Sequence, residues 1–469
     1  MNFRPRNPAG DATRVGWLFA YDWDRAAMRR LGAPGGPAFF DHAGFDFFSF
    51  PGKLGLPLLD LERFAERQAR RGRRRHWQGV LSHHEQFGAL AAAMVAEKLG
   101  LPGAAPGSIL AAQHKLYARQ VLQQVAPEAN LRFAALAADV DAALPEGFEF
   151  PVFEKPVKGA FSVLARRVEA AAQLRAHARF DRGERWLAGR LLEPFERVRR
   201  ARLPQAGSAY RMLIEEPVDP RTAQFNLDGW VHDGRIHALG VVDAVMYPGT
   251  QAFMRWEHPS RLAADVQQRA LDVARRFLAA IGYSHGFFNL EFFYCDRSDT
   301  LRVIECNPRL AAQFSDLYQR IHGLDPHAMA VALALGEDPR SVPTIAPTAG
   351  AAASLVYRTF AVDAPVPGAP SADLRKALAR AFPDSLLLSF SRRGRALARD
   401  FRWTGSHRYG IIHLGARDRE HLRQRCEAAS ALLGWPAPYL DQGAPVPRSH
   451  VAASAPSSHE SATAEVSLA

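Results

Sequence analysis

Two apolar runs flanking a short polar link constrain this chain more than any other feature. FFNLEFFY occupies 287–294, LRVIECN occupies 301–307, and CDRSDT joins them. The link has turn chemistry and the runs have strand composition, so the segment predicts an antiparallel hairpin. Glu305 and Asn307 are two apart, which places both side chains on one face. With the turn centred near Ser298, Glu291 falls opposite Glu305, at a Cβ separation of about 4.5–5.5 Å. Two carboxylates and an amide oxygen then crowd one patch, and like charges so close repel unless a cation lies between them. Hard oxygen donors with room for waters and phosphates suit Mg²⁺. The bland alternative is a solvated strand face. Against it, Phe288, Phe292, Phe293, Val303 and Ile304 make the ribbon apolar. Pro308 ends the ladder because it has no N–H to donate. Arg309 follows on the side of Glu305 and Asn307, and Cys306 is expected to face the core.

The basic residues carry a second signal. The net charge is +11, yet only six of the 59 basic residues are lysine: Lys53, Lys98, Lys115, Lys155, Lys158 and Lys376. The skew reads as a bias toward arginine, so a retained lysine marks a place that wants a compact ammonium on a flexible stem. In FEKPVKGAFSVLARRV (153–168), Lys155 alternates with Phe153 and Val157 as on a strand. Lys158, Gly159 and Ser162 fall in the turn that follows, and VLARRV returns as a strand. Such a hairpin can fold over phosphates through backbone N–H groups and ammonium contacts, although a glycine in a hairpin is more often a plain turn residue. In QHKLYARQVL (113–122), Lys115 opens an amphipathic helix. In RMLIEEPVD (211–219), an apolar strand runs into paired acids and a proline, the form of a hinge that can offer backbone groups to an adenine edge.

The rest of the chain reads as layered α/β and α+β structure. Residues 1–110 alternate strands (14–21, 79–84) with helices (60–70, 86–100), an open α/β pattern without a GxGxxG fingerprint. Residues 111–340 hold the motifs, a β-rich stretch at 210–256, and a helix whose Leu262, Val266, Val273 and Phe277 share one face. Residues 345–440 form a smaller α/β unit. It has a strand at 409–416 and a helix capped by Asp418 and stopped by Gly434. Residues 441–469 are rich in Ser, Ala and Pro and are expected to be a disordered tail. Three cysteines do not make a disulfide framework, and no apolar run reaches the length of about 18 that a membrane span needs. The first residues lack a signal-peptide core, so a cytoplasmic protein is expected, with no membrane partner.

Taken in this order, the motifs resemble the ATP-grasp superfamily over roughly residues 75–340. The resemblance implies an N-terminal open α/β domain, a central ATP-grasp domain with a lid at about 150–215, and a small C-terminal domain like that of biotin carboxylases. It implies ATP and Mg²⁺, with Mn²⁺ as a substitute. Lys115, Lys155, Lys158, Gly159 and Ser162 would meet the nucleotide phosphates, and Glu215, Glu216 and Val218 would form the adenine hinge. Glu291, Glu305 and Asn307 would be the metal ligands, and Arg309, with Lys155, the catalytic cations. The chain departs from the family pattern at Leu164, where a loop glycine is common. It departs again at Ala311 and Ala312, where amine ligases often carry two glycines. LAAQFSDLY lacks the acid motif of biotin carboxylases, and no lysine lies near Asp243.

The implied activity is ATP-dependent ligation of a carboxylate to an amine through an acyl phosphate. Variants with bicarbonate or a thiol as acceptor stay open, as does a non-catalytic nucleotide-binding protein. Partners would be small-molecule carboxylates and amines, and a homodimer is compatible with the resemblance. The clusters at Arg70–Arg75 and Arg197–Arg202 raise a nucleic-acid reading. Solvated faces in an arginine-biased chain explain them more simply. His83-His84-Glu85 has no third ligand at metalloprotease spacing and reads as a loop near the substrate cleft; His285, just before the hairpin, is a weaker candidate for a substrate contact.

Overall fold

A computed structural model describes residues 13–33, 36, 38–45, 59–136, 144–159, 165–177, 182–219, 222–361, 366–390 and 392–440. The expected tail at 441–469 and the loop residues Ser162 and Leu164 lie outside the described residues.

Three sheets follow one another along the chain. The first is parallel, with strands β1 (Arg14–Leu18), β2 (Phe39–Ala43) and β3 (Gly79–Leu81) in the order β2-β1-β3. Parallel neighbours need crossover connections, and helices supply them. The helix Leu61–Arg75 starts where Asp60 accepts a hydrogen bond from the Arg63 amide. It buries Leu61, Phe64, Ala65, Gln68, Ala69 and Gly72, leaving its arginines on the outer face. It runs past residue 70 because five of the six residues at 70–75 are arginine, a good helix former, while Gly72 packs where a Cβ would lie 2.8 Å from Leu99.

The second sheet is antiparallel: β4 (Phe133–Leu136), β5 (Val152–Pro156), β6 (Arg166–Val168) and β7 (Met212–Glu215), in the order β4-β7-β5-β6. It covers the expected lid and adds β4, whose sequence FAAL shows no alternation.

The third sheet has eight antiparallel strands: β8 (Ala223–His232), β9 (Arg235–Met246), β10 (Phe253–His258), β11 (Gly286–Cys295), β12 (Thr300–Asn307), β13 (Ala351–Thr359), β14 (Leu386–Ser389) and β15 (His407–Ala416). Their order is β12-β11-β8-β9-β10-β13-β15-β14. The stretch 345–440 has its own apolar cluster around Leu355, Tyr357, Ile412 and Leu422. Its strands nevertheless continue the central sheet through the β10–β13 ladder. Its last helix, Arg419–Leu433, is capped by Asp418 and ends at Gly434 in the left-handed conformation.

One face of the β11–β12 hairpin is core. Phe288, Leu290, Phe292, Val303 and Cys306 pack with Val266, Val273 and Phe277 of the helix Ala264–Ala280. Alternation along β11 turns Asn289 and Glu291 toward the opposite face, where the three sheets meet. A β-bulge between Val303 and Glu305 lets β12 bury both Val303 and Cys306 while Glu305 and Asn307 stay opposite Glu291 and Asn289.

Candidate active site

The register of the hairpin places Glu291 opposite Glu305 and Asn289 opposite Asn307. Strand β8 extends both rows, with Asn226 beside Glu291 and Asp228 beside Asn289. Six oxygen-bearing side chains therefore form a grid, two rows deep and three strands wide. Asn307 Nδ2 donates to Glu291 Oε1 at 3.1 Å and to Asn289 Oδ1 at 3.2 Å. Gln224 Nε2 donates to Glu291 Oε2 at 3.0 Å. Behind them Asn289 Nδ2 and the Tyr318 hydroxyl donate to Asp228, at 2.9 and 2.7 Å. Sequence reasoning passed over Asn226, Asp228 and Asn289. The alternating Gln224, Asn226 and Asp228 in AQFNLDGWVH was the available signal.

Electrostatics separates the two carboxylates. Burial, with Glu305 and then Glu85 nearby, pushes the Glu291 carboxyl well above the usual carboxylate range. Burial acts on Glu305 in the same direction, but Lys115 and Lys155 outweigh it and hold that carboxyl below the usual range. Opposed carboxylates whose mutual repulsion a cation would relieve, together with an amide oxygen, are a donor set that fits a hard divalent cation.

Lys115 opens the helix Lys115–Val125, where the His114 ring accepts a hydrogen bond from the Tyr117 amide. The Lys115 amide donates to the Val157 carbonyl, which ties the helix to the second sheet. Lys115 Nζ lies 2.8 Å from Glu305 Oε2 and donates to the Gly159 carbonyl at 2.8 Å. Lys155 Nζ lies 2.9 Å from Glu215 Oε2 and 3.3 Å from the Ile304 carbonyl. Glu215, expected at an adenine hinge, thus has its side chain engaged by a buried cation. Its other oxygen accepts from Arg119 Nε at 2.6 Å. Arg119 was unremarkable among so many arginines. It is 2 % exposed and also donates to Asn130 and to the Val303 and Ile304 carbonyls of β12. The Glu216 amide donates to the Arg132 carbonyl, continuing the β4 ladder, and Val218 is half-buried just beyond β7.

Lys158 is buried, with Nζ 5.0 Å from the centroid of the Phe195 ring. Burial pushes its ammonium down to about 7; Glu85 and Glu305 oppose the shift, and Lys115 and Arg309 reinforce it.

Arg309 NH2 lies 2.6 Å from Glu85 Oε2, so the carboxylate of the SHHE segment comes from the first sheet to meet the end of the hairpin. Tyr21 is within electrostatic reach of both, and its ring stacks on His84 at 5.2 Å between centroids. His83 is engaged elsewhere: its Nδ1 lies 2.8 Å from Asp24 Oδ1, which His327 also approaches at 3.3 Å. His285 is buried with Nε2 2.8 Å from the Leu333 carbonyl, a packing role rather than a cleft position. The arginine clusters are partly neutralised: Arg75 pairs with Asp41, Arg197 with Asp60, Arg199 with Glu196 and Arg202 with Glu97. No helix among the described residues is long and apolar enough to cross a membrane.

No family model matches the chain. An uncharacterized protein, y4rH, of Sinorhizobium fredii (strain NBRC 101917 / NGR234) is 28% identical over 261 residues, 55% of this chain and 49% of that protein. Carnosine synthase 1 of Gallus gallus is 30% identical over 264 residues, 53% of this chain and 26% of that protein. The chain therefore matches half or less of the length of these relatives. Among solved structures, the L-amino acid ligase of Bacillus licheniformis superposes with a TM-score of 0.59 at 18% identity, covering 90% of this chain and 97% of that one. The biotin carboxylase domain dimer of Hydrogenobacter thermophilus 2-oxoglutarate carboxylase, in complex with MgADP, ADP and bicarbonate, superposes with a TM-score of 0.60 at 14% identity over 91% of both chains. With a parallel N-terminal sheet followed by antiparallel central sheets, the chain has the ATP-grasp fold.

Proposed function

We propose that this protein is an ATP-dependent carboxylate–amine ligase. The observation that carries the reading is the clustering of Glu291, Glu305 and Asn307 with Lys115, Lys155, Lys158 and Arg309 around the end of one hairpin. In this reading residues 1–110, 111–340 and 345–440 act as three domains, and the second sheet is the lid. Lys115, Lys155, Lys158 and Gly159 hold the phosphates of ATP, and Glu215, Glu216 and Val218 flank the adenine. Glu291, Glu305 and Asn307 would hold Mg²⁺, which neutralises phosphate charge when bound. A substrate carboxylate oxygen attacks the γ-phosphorus in line, the bond to the β-phosphate oxygen breaks, and ADP leaves. Arg309 holds the acyl phosphate, and an amine attacks its carbonyl carbon, expelling phosphate and leaving an amide. The chain's contribution is position and charge, because phosphoryl transfer asks little covalent chemistry of the protein. The likeness to carnosine synthase and L-amino acid ligase supports the amine as acceptor.

ADP release from Mg-ATP, measured across a panel of amino acids with and without bicarbonate, tests this. Release that requires two amino acids supports the ligase, and release that requires bicarbonate points to a carboxylase. Glu305→Gln should abolish turnover with little change in the ligand-free thermal transition. It removes the partner of Lys115 but also relieves the repulsion between Glu305 and Glu291. Unchanged turnover in that variant would refute the metal assignment.

A further inference from the structure

Away from the hairpin, a second set of titratable side chains meets in the core. Asp24 lies in the first turn of the helix Asp22–Leu31, His83 follows β3, and His327 lies in the helix Pro326–Ala334. Asp24 Oδ1 is 2.8 Å from His83 Nδ1 and 3.3 Å from His327 Nε2. One ligand atom from each of the three residues falls within 4.8 Å of the others. The two imidazole planes are tilted by 59°, with centroids 5.5 Å apart, so the rings reach the shared oxygen from different directions. At metal–ligand distances of about 2.0–2.1 Å, the ligand atoms of a tetrahedral site sit about 3.3 Å apart. The His327 pair already has that spacing, and the His83 pair has to open by only about 0.5 Å to reach it.

The charges and lone pairs of the cluster suit an ion. Asp24 is 0 % exposed, and no lysine or arginine among the described residues pairs with it. A carboxylate so buried calls for a counter-charge. The Tyr21 amide donates to its Oδ2 at 2.8 Å, which fixes the carboxylate and leaves Oδ1 to the two imidazoles. Burial lowers the His83 imidazole below its ordinary value against the pull of Asp24. Its ring is therefore neutral near pH 7 and keeps a lone pair for a metal. The other nitrogen of that ring, Nε2, is buried with no hydrogen-bond partner, a state that a bound ion or water commonly explains.

We propose that Asp24, His83 and His327 bind a divalent transition-metal ion, zinc being the one that two imidazoles and a carboxylate suit, with a water in the fourth position. Magnesium takes oxygen ligands, so this site differs in kind from the hairpin site. All three residues are buried, so the ion fixes structure and does not meet substrate. His83 lies two residues before Glu85, the partner of Arg309. The ion holds the SHHE segment and the helix Pro326–Ala334 to the first layer, and in doing so sets the position of Glu85. The site stands independently of the ligase reading.

Metal analysis of the untagged full chain tests this, followed by calorimetric titration of the chelator-treated protein with zinc chloride. The wild type should carry or take up one equivalent of zinc and gain in thermal midpoint, because a ligand of the native state stabilises it. X-ray absorption at the zinc edge should show scattering from two imidazoles. His327→Gln keeps a hydrogen-bond donor for Asp24 but removes one ligand. It should weaken zinc binding by more than the roughly 10–100-fold that loss of an outer-shell partner costs. Glu305→Gln should keep its zinc, which separates this site from the hairpin. A wild type that neither carries nor takes up zinc overturns the proposal. So does an absorption spectrum without imidazole scattering, loss of the zinc in Glu305→Gln, or a folded His327→Gln that binds like wild type. The wild-type measurements decide the matter should His327→Gln fail to fold.

Discussion

Glu215 lies between two cations, and the three side chains answer to different demands. Arg119 and Glu215 are both almost fully buried, and Arg119 also binds carbonyls of β12. Removing Arg119 leaves a buried carboxylate to Lys155 alone and frees two strand carbonyls. Breaking such a buried pair costs about 3–5 kcal/mol. Arg119→Ala should therefore lose about that much in urea denaturation. Lys155→Ala should lose less, because Arg119 still neutralises Glu215, and should weaken nucleotide binding more. A calorimetric titration of Lys155→Ala with wild-type nucleotide affinity would count against its role. Lys158 offers a prediction in pH. Its folded value of about 7 lies below the ordinary lysine value, which is about 10.4. Between these values the folded protein binds fewer protons than the unfolded chain. Stability owed to this group therefore rises with pH across that window and is lowest below it. Phosphate beside the ammonium favours its charged form, so nucleotide binding at a pH of about 8 should draw a proton onto Lys158. Lys158→Arg is charged throughout, so it should take up fewer protons than wild type, read by calorimetry in buffers of different ionisation enthalpy. Equal uptake by the two proteins would contradict the assignment.

At the scale of elements, two helix ends show how the same residue type meets different constraints. Gly434 ends the helix Arg419–Leu433 with φ +66°, and a Cβ there would meet nothing within 4 Å. Gly323 ends the helix Ser315–His322 with φ +70°, but a Cβ would lie 1.8 Å from the Ile345 carbonyl oxygen. Gly434→Ala should cost only the left-handed penalty of about 1–2 kcal/mol. Gly323→Ala adds an overpacking cost of about 1–3 kcal/mol, so its thermal midpoint should fall clearly further. Equal losses would mean that the Ile345 backbone moves aside freely. Gly434 and the Asp418 cap were legible in the sequence because both act on their own helix. The hairpin itself was legible for a similar reason, from its turn and its two apolar runs, but its register was legible only to within one residue: Phe292 faces Val303, which would set Glu291 against Ile304, and a β-bulge there brings Glu291 opposite Glu305. Strand β4 was not, since FAAL carries no period and is defined by its pairing with β7. Nor was the approach of Glu85 to Arg309, or of Glu215 to Arg119. Each joins distant parts of the chain, and no local pattern says which arginine among many will be buried.

At the scale of the whole molecule, charge sews the layers together. Asp24 brings His83 of the first layer and His327 of the helix Pro326–Ala334 to one carboxylate oxygen, and Arg30 pairs with Asp325 nearby. Burial alone would raise the Asp24 carboxyl, but His83 and His327 outweigh it and hold it well below the usual range. At the other end Arg419 reaches Asp243 and Glu257, and the Tyr439 hydroxyl donates to Glu257 at 2.7 Å. The stretch 345–440 looks separable by sequence, yet these contacts and the β10–β13 ladder bind it to the central strands. Its β13 would become an open edge if it were cut away, and Val356 and Ile411, which pack against Leu317 and Tyr318 in one core, would face water. Exposed strand edges and apolar faces of that kind favour aggregation over a stable fold. A fragment of residues 345–440 should therefore be unfolded or aggregated, with a collapsed amide spectrum by NMR. Coexpression with residues 1–344 should restore a complex, because the ladder and the Arg419 contacts form between the two pieces. A fragment that gave a dispersed spectrum on its own would show that its apolar cluster around Tyr357 and Leu422 suffices, and that the shared sheet is a docking surface between independent units.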